Sequence, residues 1–174
     1  MYKLIVLDRD GVLNEKPENN KYVFKVNQLV IKNDILKKVI QLQQKKIQFC
    51  VATNQKGVGL GLIPLSELYL INNQINLVLQ KLGGKKLRFY ICPHIDDVCN
   101  CRKPKPGLLF KAMKDFKVNR DETLFVGDQI TDQEAAINAG INFMYVSQFV
   151  EFQDECINVN TKNPTKWKFD EKIS

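Results

Sequence analysis

Short apolar segments rich in β-branched residues alternate along this chain with longer segments of helical periodicity, and this alternation constrains the fold most. It predicts five strands, at residues 3–7, 48–52, 88–92, 123–126 and 142–146. It predicts four helices between them, at residues 34–45, 65–82, 106–116 and 132–139. Strands that alternate with helices form βαβ units with parallel strands. The expected fold is therefore α/β, a three-layer sandwich with a mainly parallel sheet and helices on both faces.

The chain has 174 residues, a typical length for one domain. From about residue 151 it becomes polar and loses periodicity, so we expect one domain over residues 1–150 and a C-terminal extension over 151–174. No apolar stretch approaches the roughly 20 residues that cross a membrane, and the apolar N-terminus lacks a signal-peptide cleavage site. We therefore expect a cytoplasmic protein without a membrane partner.

The net charge of +7 comes mostly from lysines scattered along the chain. This charge suits anionic ligands, although scattered lysines more often form an ordinary solvated surface. The sequence has no arginine-rich arm and no interleaved basic and aromatic residues of the kind that track a nucleic-acid strand. Nucleic acid is therefore not the expected partner, although charge alone does not decide among anionic ligands.

Polar side chains follow the predicted strands at the points where those strands end. Asp8 and Asp10 follow the first strand, Thr53 follows the second, and Asp128 follows the fourth. A cluster of cysteines follows the third strand. Because parallel α/β sheets bind ligands outside the carboxyl ends of their strands, we expect these groups to form one functional edge.

The acidic pair Asp8 and Asp10 lies two residues apart at the end of a buried strand. Two carboxylates in such a place are costly unless a cation neutralises them, and Mg²⁺ takes one or two carboxylates together with water and phosphate oxygens. One carboxylate can then attack phosphorus while the other delivers a proton to the leaving oxygen. Gly11 allows a sharp turn towards the phosphate. Alone, this motif is explained about equally well as a polar turn.

Two further segments offer groups that suit a phosphate. Thr53, Asn54 and Gln55 bring a hydroxyl and backbone N–H groups to a strand end, and Arg102 and Lys103 bring cations on a proline-stiffened loop. A fixed cation stabilises the charge of a phosphoryl group in transfer. Taken singly, each segment is more simply explained as a helix cap, a turn or a solvated basic loop.

Asp128 lies at the end of the fourth predicted strand as Asp8 lies at the end of the first, so the two can share one cation. Asp132 is expected either at the N-cap of the next helix or as a partner of this metal site. An isolated Gly-Asp pair is otherwise a common turn.

The order of these motifs over residues 3–146 resembles the haloacid dehalogenase superfamily of phosphatases. The segments Asp-Arg-Asp-Gly, Thr-Asn-Gln and Cys-Arg-Lys-Pro-Lys-Pro-Gly are similar to the branch that contains D,D-heptose 1,7-bisphosphate phosphatase and histidinol-phosphate phosphatase. The resemblance implies a Rossmann-like fold and a Mg²⁺-dependent phosphomonoesterase that works through an aspartyl-phosphate. No gap between motifs is long enough for a large inserted cap domain, so we expect the substrate pocket to be built from loops at residues 15–26, 57–64 and 92–101.

The resemblance also implies catalytic roles by position. Asp8 matches the nucleophile, Asp10 the general acid/base, Thr53 the residue that holds the phosphoryl group, and Lys103 the residue that offsets its charge. 

Binding roles follow in the same way. Arg102 matches a substrate-binding position, and Asn54 and Gln55 are candidates for the same role. Asp8, the backbone carbonyl of Asp10 and Asp128 would hold Mg²⁺. The chain departs from the family at Gln129, where Lys or Arg is common.

A second metal site is predicted between residues 92 and 101. Cys92, His94, Cys99 and Cys101 supply three thiolates and an imidazole, a common ligand set of structural zinc, and the family resemblance matches all four positions. A complete ligand set leaves no open position, so the Zn²⁺ should be structural and should position the residues that follow. The alternative is a group of buried free cysteines.

The substrate is the least constrained prediction. An open site without a cap favours a small phosphorylated metabolite, and the enzyme is expected to act as a monomer. Only four residues separate His94 from Cys99, as in the histidinol-phosphate type, whereas the segment around Tyr22 aligns without gaps to the heptose type. We expect heptose 1,7-bisphosphate, with histidinol phosphate as the first alternative. A catalytically degenerate phosphate-binding module and a phosphatase for nucleic-acid 3′-phosphate ends are further alternatives.

Overall fold

The computed structural model describes residues 1–16, 22–95 and 98–151, and these form a five-stranded parallel sheet. The strands are β1 (Leu4–Leu7), β2 (Gln48–Asn54), β3 (Arg88–Cys92), β4 (Thr123–Gly127) and β5 (Asn142–Tyr145). The helices are α1 (Asn33–Gln44), α2 (Lys56–Gly59), α3 (Leu65–Lys81), α4 (Gly107–Phe116), α5 (Ile130–Ala139) and α6 (Val146–Glu151), with a 3₁₀ helix at Val26–Gln28. The strand order is β3-β2-β1-β4-β5, and every adjacent pair is parallel.

The central strand β1 shows how the sheet divides the core in two. Ile5 and Leu7 pack into a cluster with apolar side chains of α1 and α3, whereas Leu4 and Val6 pack into a second cluster with those of α4 and α5. Successive residues of a strand point to opposite faces, so each face of β1 receives its own layer of helices. The predicted three-layer α/β sandwich is therefore confirmed.

The structure corrects several predicted boundaries. β2 continues two residues beyond the predicted end because Thr53 and Asn54 pair with β3. β5 ends at Tyr145, and Val146 begins α6, a helix that the sequence did not predict. Phe149 of α6 is fully buried in the cluster shared by α1 and α3, which explains why the chain turns back onto the sheet.

The beginning of α5 also differs from the prediction. This helix starts at Ile130, and Gln129 is its N-cap, so Asp132 lies inside the first turn and is not the N-cap. The carboxylate of Asp132 instead accepts hydrogen bonds from the backbone N–H groups of Asp128 and Gln129, both at 3.1 Å. These donors are left without partners at a helix N-terminus, which is why an acidic side chain is favourable there.

Some predictions concern residues outside the described ranges. These are residues 17–21 of the predicted loop at 15–26, residues 96–97 of the cysteine segment, and residues 152–174 of the predicted C-terminal extension, which includes Cys156 and Trp167. In the described ranges, the connections between strands contain helices of the two outer layers and no inserted domain. No helix in these ranges has both the length and the apolar character needed to span a membrane.

Candidate active site

Lys103 lies between two carboxylates at the carboxyl edge of the sheet. Its Nζ is 2.9 Å from Oδ1 of Asp8, which follows β1, and 2.6 Å from Oδ1 of Asp132 in α5. All three side chains are almost fully buried. Burial raises the pKa of Asp8 to about 6, with a contribution from the nearby Asp132, whereas the charge of Lys103 acts in the opposite direction. Burial lowers the pKa of Lys103, but the two carboxylates outweigh it and the pKa is raised, so Lys103 is a fixed cation.

The loop that carries Lys103 is fixed by Asn54 at the end of β2. The Asn54 side chain donates to the Lys103 carbonyl at 2.9 Å and accepts from the Lys103 backbone N–H at 3.0 Å. Both polar ends of this amide are therefore engaged within the protein. The geometry supports a positioning role for Asn54, and the substrate contact expected from the sequence stays a prediction.

Asp10 is held by a dense set of donors. Its carboxylate accepts from Arg9 Nη2 at 2.9 Å on each oxygen, from Asn14 Nδ2 at 3.0 Å and from Gln55 Nε2 at 2.7 Å. Burial raises the pKa of Asp10, but the Arg9 charge and the hydrogen bonds from Asn14, Arg9 and Gln55 outweigh it, so the pKa is lowered. In this arrangement Asp10 is an ionised carboxylate whose oxygens are taken up by hydrogen bonds from Arg9, Asn14 and Gln55.

Gln55 connects Asp10 to Thr53, the second residue with a predicted catalytic role. Besides its bond to Asp10, Gln55 Nε2 donates to the Thr53 hydroxyl oxygen at 3.0 Å, and its Oε1 accepts from Arg9 at 3.2 Å. Gln55 is thus part of an internal network, and its predicted contact with substrate stays a prediction. Arg102, the other predicted substrate contact, is half-buried at the same edge.

The sequence reasoning missed Arg9. Its side chain is fully buried, and it also donates from Nη1 to Asn72 Oδ1 in α3 at 3.2 Å. An arginine between two aspartates at a strand end is a sequence signal for an internal counter-ion. Its burial, however, depends on Asn72, 63 residues away in the chain.

Three carboxylates gather where the sequence predicts Mg²⁺. Oxygen atoms of Asp8, Asp128 and Asp132 all lie within 4.8 Å of one another. Oδ1 of Asp128 is buried and has no hydrogen-bond partner in the described part of the chain, so a cation would satisfy it. Asp132 is already engaged by Lys103 and by backbone N–H groups, so Asp8 and Asp128 are the side chains that fit the ion best. The Asp10 carboxylate faces Arg9, which is compatible with the predicted role of its backbone carbonyl.

Gly11 is required by this arrangement. It has a φ of +91°, and a Cβ at this position would lie 2.2 Å from Oδ2 of Asp128. Only glycine combines that backbone conformation with such a close approach.

Asp128 is also contacted by two side chains at the rim of the site. Lys16 donates from Nζ to Oδ2 at 2.5 Å, and Gln129 donates from Nε2 to the same oxygen at 3.2 Å. Gln129 is therefore a neutral amide at a position where the family that the sequence resembles commonly has Lys or Arg. Lys16, from the loop after β1, supplies a cation beside Asp128 instead.

The four predicted zinc ligands form one cluster. The ligand atoms of Cys92, His94, Cys99 and Cys101 lie within 4.8 Å of one another. Nδ1 of His94 is 3.6 Å from Cys92 Sγ and 3.3 Å from Cys101 Sγ, and Cys99 Sγ is 3.6 Å and 3.3 Å from the same two sulfurs. With Zn–S bonds of about 2.3 Å, tetrahedral ligands would lie roughly 3.5–3.8 Å apart. The donor set and its spacing thus fit Zn²⁺.

Comparison with known proteins gives a consistent result. Residues 3–150 match the model of the polynucleotide kinase 3 phosphatase family. The D-glycero-beta-D-manno-heptose-1,7-bisphosphate 7-phosphatase of Neisseria meningitidis serogroup A is 35% identical over 134 residues, which cover 76% of this chain and 71% of that protein. The histidine biosynthesis bifunctional protein HisB of Blochmanniella floridana is 32% identical over 140 residues, but the match covers only 39% of that protein.

A solved structure is similar over most of its length. It is the crystal structure of D,D-heptose 1,7-bisphosphate phosphatase from B. bronchiseptica, complexed with magnesium and phosphate. The TM-score is 0.76 at 33% sequence identity, and the match covers 81% of this chain and 78% of that chain.

Proposed function

This chain belongs to the polynucleotide kinase 3 phosphatase family, within the haloacid dehalogenase-like phosphatases, and we propose that it removes a phosphate from D-glycero-D-manno-heptose 1,7-bisphosphate. Asp8 is the proposed nucleophile. The observation that carries the proposal is the group of Asp8, Lys103, Asp128 and Asp132 at one edge of the sheet, with Lys103 Nζ 2.9 Å from the Asp8 carboxylate. The proposal is supported because a carboxylate, a fixed cation and oxygen atoms that would fit a metal ion lie together.

The proposed reaction has two steps. An ionised oxygen of Asp8 attacks phosphorus, the P–O bond to the sugar breaks, and the leaving oxygen takes a proton from Asp10. Asp10 then takes a proton from water, which attacks the aspartyl-phosphate and regenerates Asp8. Lys103 offsets the negative charge on the phosphoryl oxygens, and the Thr53 hydroxyl holds one of them. Mg²⁺ bound at Asp8, Asp128 and the Asp10 carbonyl would polarise the phosphoryl group and neutralise carboxylate charge.

Asp10 can act as the proton donor only after a rearrangement. Its pKa is lowered by Arg9 and by the bonds from Asn14 and Gln55, so it must give up part of this network before it can carry a proton. The proposal therefore includes a turn of the Asp10 carboxyl away from Arg9 and Gln55 when substrate binds. Zn²⁺ at the cysteine cluster would hold the backbone that leads from Cys101 to Lys103.

Histidinol phosphate is the second candidate substrate, because the interval between His94 and Cys99 is short and HisB is a relative. The proposal further includes a cytoplasmic monomer that acts on a small phosphorylated metabolite, with neither nucleic acid nor a membrane as partner.

The test is a comparison of kcat/KM in Mg²⁺ across a panel of phosphate esters. The panel contains both anomers of heptose 1,7-bisphosphate, histidinol phosphate, simple sugar monophosphates and a 3′-phosphorylated oligonucleotide. Both anomers are needed because the relatives differ in this respect. The Neisseria relative is named for the beta anomer of the heptose, and the Campylobacter relative is named for the alpha anomer. The proposal expects one heptose anomer to exceed the other substrates by at least about tenfold, a difference of 1.4 kcal/mol in transition-state binding.

The other outcomes identify the alternatives. Preference for histidinol phosphate or for the oligonucleotide would refute the heptose assignment and retain the phosphatase. An inert panel, with a folded and zinc-loaded protein, would refute catalysis and favour the degenerate binding module.

A further inference from the structure

A cavity lies at the amino ends of β2 and β3, at the edge of the sheet opposite to Asp8. Its volume is about 480 Å³, and its lining comes from the end of α1, the start of β2, the segment before β3 and the end of α4. β2 runs from Gln48 at this cavity to Asn54 at the catalytic edge, so roughly 20 Å separate the two places. A ligand in this cavity would not overlap the active site.

The lining of this cavity is strongly basic. Lys46, Lys85, Lys86 and Arg88 line it together with one carboxylate, that of Asp115. Arg88 donates to Asp115 at 3.2 Å, so the one carboxylate is already paired. Three lysines therefore have no carboxylate partner among the residues that line the cavity, and their charges repel one another.

The backbone that presents two of these lysines is fixed. Gln43, which is buried, donates to the Lys85 carbonyl at 3.0 Å and accepts from the Lys85 N–H at 2.7 Å. Asn76 forms the same pair of bonds with Leu87, at 3.0 and 2.8 Å. Four bonds thus hold the backbone of segment 85–87, so a ligand would have to order the lysine side chains but not the backbone that carries them.

Helix dipoles do not account for the positive charge of the residues that line the cavity. Lys46 follows the C-terminus of α1, where a cation is favourable in itself. Lys85, Lys86 and Arg88 are not on a helix, so the same argument does not apply to them.

Two aromatic side chains, Phe49 and Phe116, also line the cavity, and the Arg88 guanidinium lies 5.8 Å from the centre of the Phe116 ring. A cavity of several hundred Å³ that is lined by basic and aromatic side chains suits a ligand that combines charged groups with a flat ring. We infer that this cavity binds a small phosphorylated ligand of the nucleotide class, at a site separate from the catalytic edge.

The experiment is an NMR titration of the ¹⁵N-labelled full chain, without Mg²⁺, with ADP and with inorganic pyrophosphate as probes. ADP should shift amide signals of residues 46–49, 85–88 and 115–116 and should bind more tightly than pyrophosphate, because only ADP carries the ring. The affinity should fall with added salt.

The matched variants isolate the two lysines. Lys85→Gln combined with Lys86→Gln should raise the dissociation constant for ADP at least about tenfold, whereas Lys37→Gln combined with Lys111→Gln should change it by less than about twofold. All four lysines are exposed, so both double variants should fold.

Four results would overturn the inference. These are shifts confined to the catalytic edge, equal weakening by both double variants, and tighter binding of a single-stranded oligonucleotide at the same residues. The fourth is a lowered Tm of the Lys85 and Lys86 variant with an unchanged dissociation constant for ADP.

Discussion

Two groups of residues at the same edge of the sheet are held in different ways. The first is the proposed phosphoryl site (Asp8, Asp10, Thr53, Lys103 and Asp128), and the second is the predicted zinc cluster (Cys92, His94, Cys99 and Cys101). The phosphoryl site combines groups from distant parts of the chain: Gln55 reaches Asp10 across 45 residues, and Asn54 reaches Lys103 across 49. The four predicted zinc ligands come from a window of ten residues, and only Cys92 among them is buried. The fold itself organises the first site, whereas we expect a bound ion to stabilise the second.

This difference follows from the chemistry of the two groups. Lys103 and its two carboxylates attract one another strongly in a buried setting, so they stay together without a ligand. Three thiols and an imidazole have little mutual attraction, and a bound ion supplies the energy that holds them. The two sites meet at residues 101–103, where the last predicted zinc ligand, Cys101, is followed by Arg102 and Lys103.

The largest expected effect comes from the substitution Asp8→Asn. Without the nucleophile, kcat should fall by roughly 10³-fold or more. The fold should be retained, because Lys103 keeps Asp132 as a partner. Steady-state kinetics and circular dichroism check both points, and substantial residual turnover in the variant would contradict the assigned role.

The substitution Lys103→Met should lower both the stability of the protein and its activity. It leaves Asp8 and Asp132 buried without their cation, which should destabilise the protein by about 3–5 kcal/mol. It should also lower kcat by about 10²-fold or more. Urea unfolding and kinetics measure the two effects. Lys111→Met, an exposed lysine on α4, is the control, and equal effects of the two substitutions would contradict the account.

Removal of zinc should affect the two sites differently. Chelation should lower kcat by about 10–100-fold through the backbone that leads to Lys103, and added Zn²⁺ should restore it. The parallel sheet should persist, because Cys92 is the one residue of the four predicted ligands within the two core clusters, which consist mostly of side chains far from the cysteines in the chain. In the stripped protein Cys99 and Cys101, which are only partly buried, should become reactive to iodoacetamide.

Cys50 is the internal control for this experiment. It is fully buried in β2, and burial raises its pKa, so it should stay unmodified. Mass spectrometry reads out each cysteine. Modification of Cys50 together with the cysteines of the cluster would show that chelation unfolds the whole domain. That result would contradict the claim that the fold holds the phosphoryl site without zinc.

The substitution Asn54→Ala has a smaller effect with a matched control. It removes two hydrogen bonds to the Lys103 backbone, at a cost of about 1–3 kcal/mol, and it should lower kcat more than it raises KM. Asn76→Ala removes the same pair of bonds from Leu87 at the opposite edge. It should destabilise the protein to a similar extent without the loss of kcat. Equal kcat values for the two variants would argue against a positioning role for Asn54.

The smallest expected effect concerns Lys16 at the rim. Lys16→Met removes an ammonium that is paired with Asp128, so Mg²⁺ should bind the substrate-free protein up to about fivefold more tightly, in keeping with the modest value of exposed ion pairs. Isothermal titration calorimetry measures this affinity. An unchanged or weaker Mg²⁺ affinity would show that Lys16 does not compete for Asp128.

The sequence predicts which residues lie at the functional edge of the sheet better than it predicts the contacts between them. Asp8, Thr53 and Asp128 were placed at one edge from the alternation of strands and helices alone, because parallel strands end on the same side. The four zinc ligands were predicted from spacing, since they are close in the chain. Both kinds of signal are local.

The contacts that the sequence did not reveal are those between distant segments. The burial of Arg9 depends on Asn72, and the engagement of Asn54 depends on the Lys103 loop. The role of Asp132 depends on a helix that begins two residues earlier than the periodicity suggests. No local pattern of residue types fixes which partners such side chains meet.

The most direct test of the account is to trap the phosphoryl group on Asp8. The enzyme is mixed in excess with its preferred substrate and Mg²⁺, quenched rapidly in acid, digested with pepsin and analysed by tandem mass spectrometry. The account predicts a phosphoryl group on Asp8 that appears and decays within one turnover and is absent from the Asp8→Asn variant. Full turnover with an unmodified Asp8 at every quench time, together with retained activity in Asp8→Asn, would contradict it.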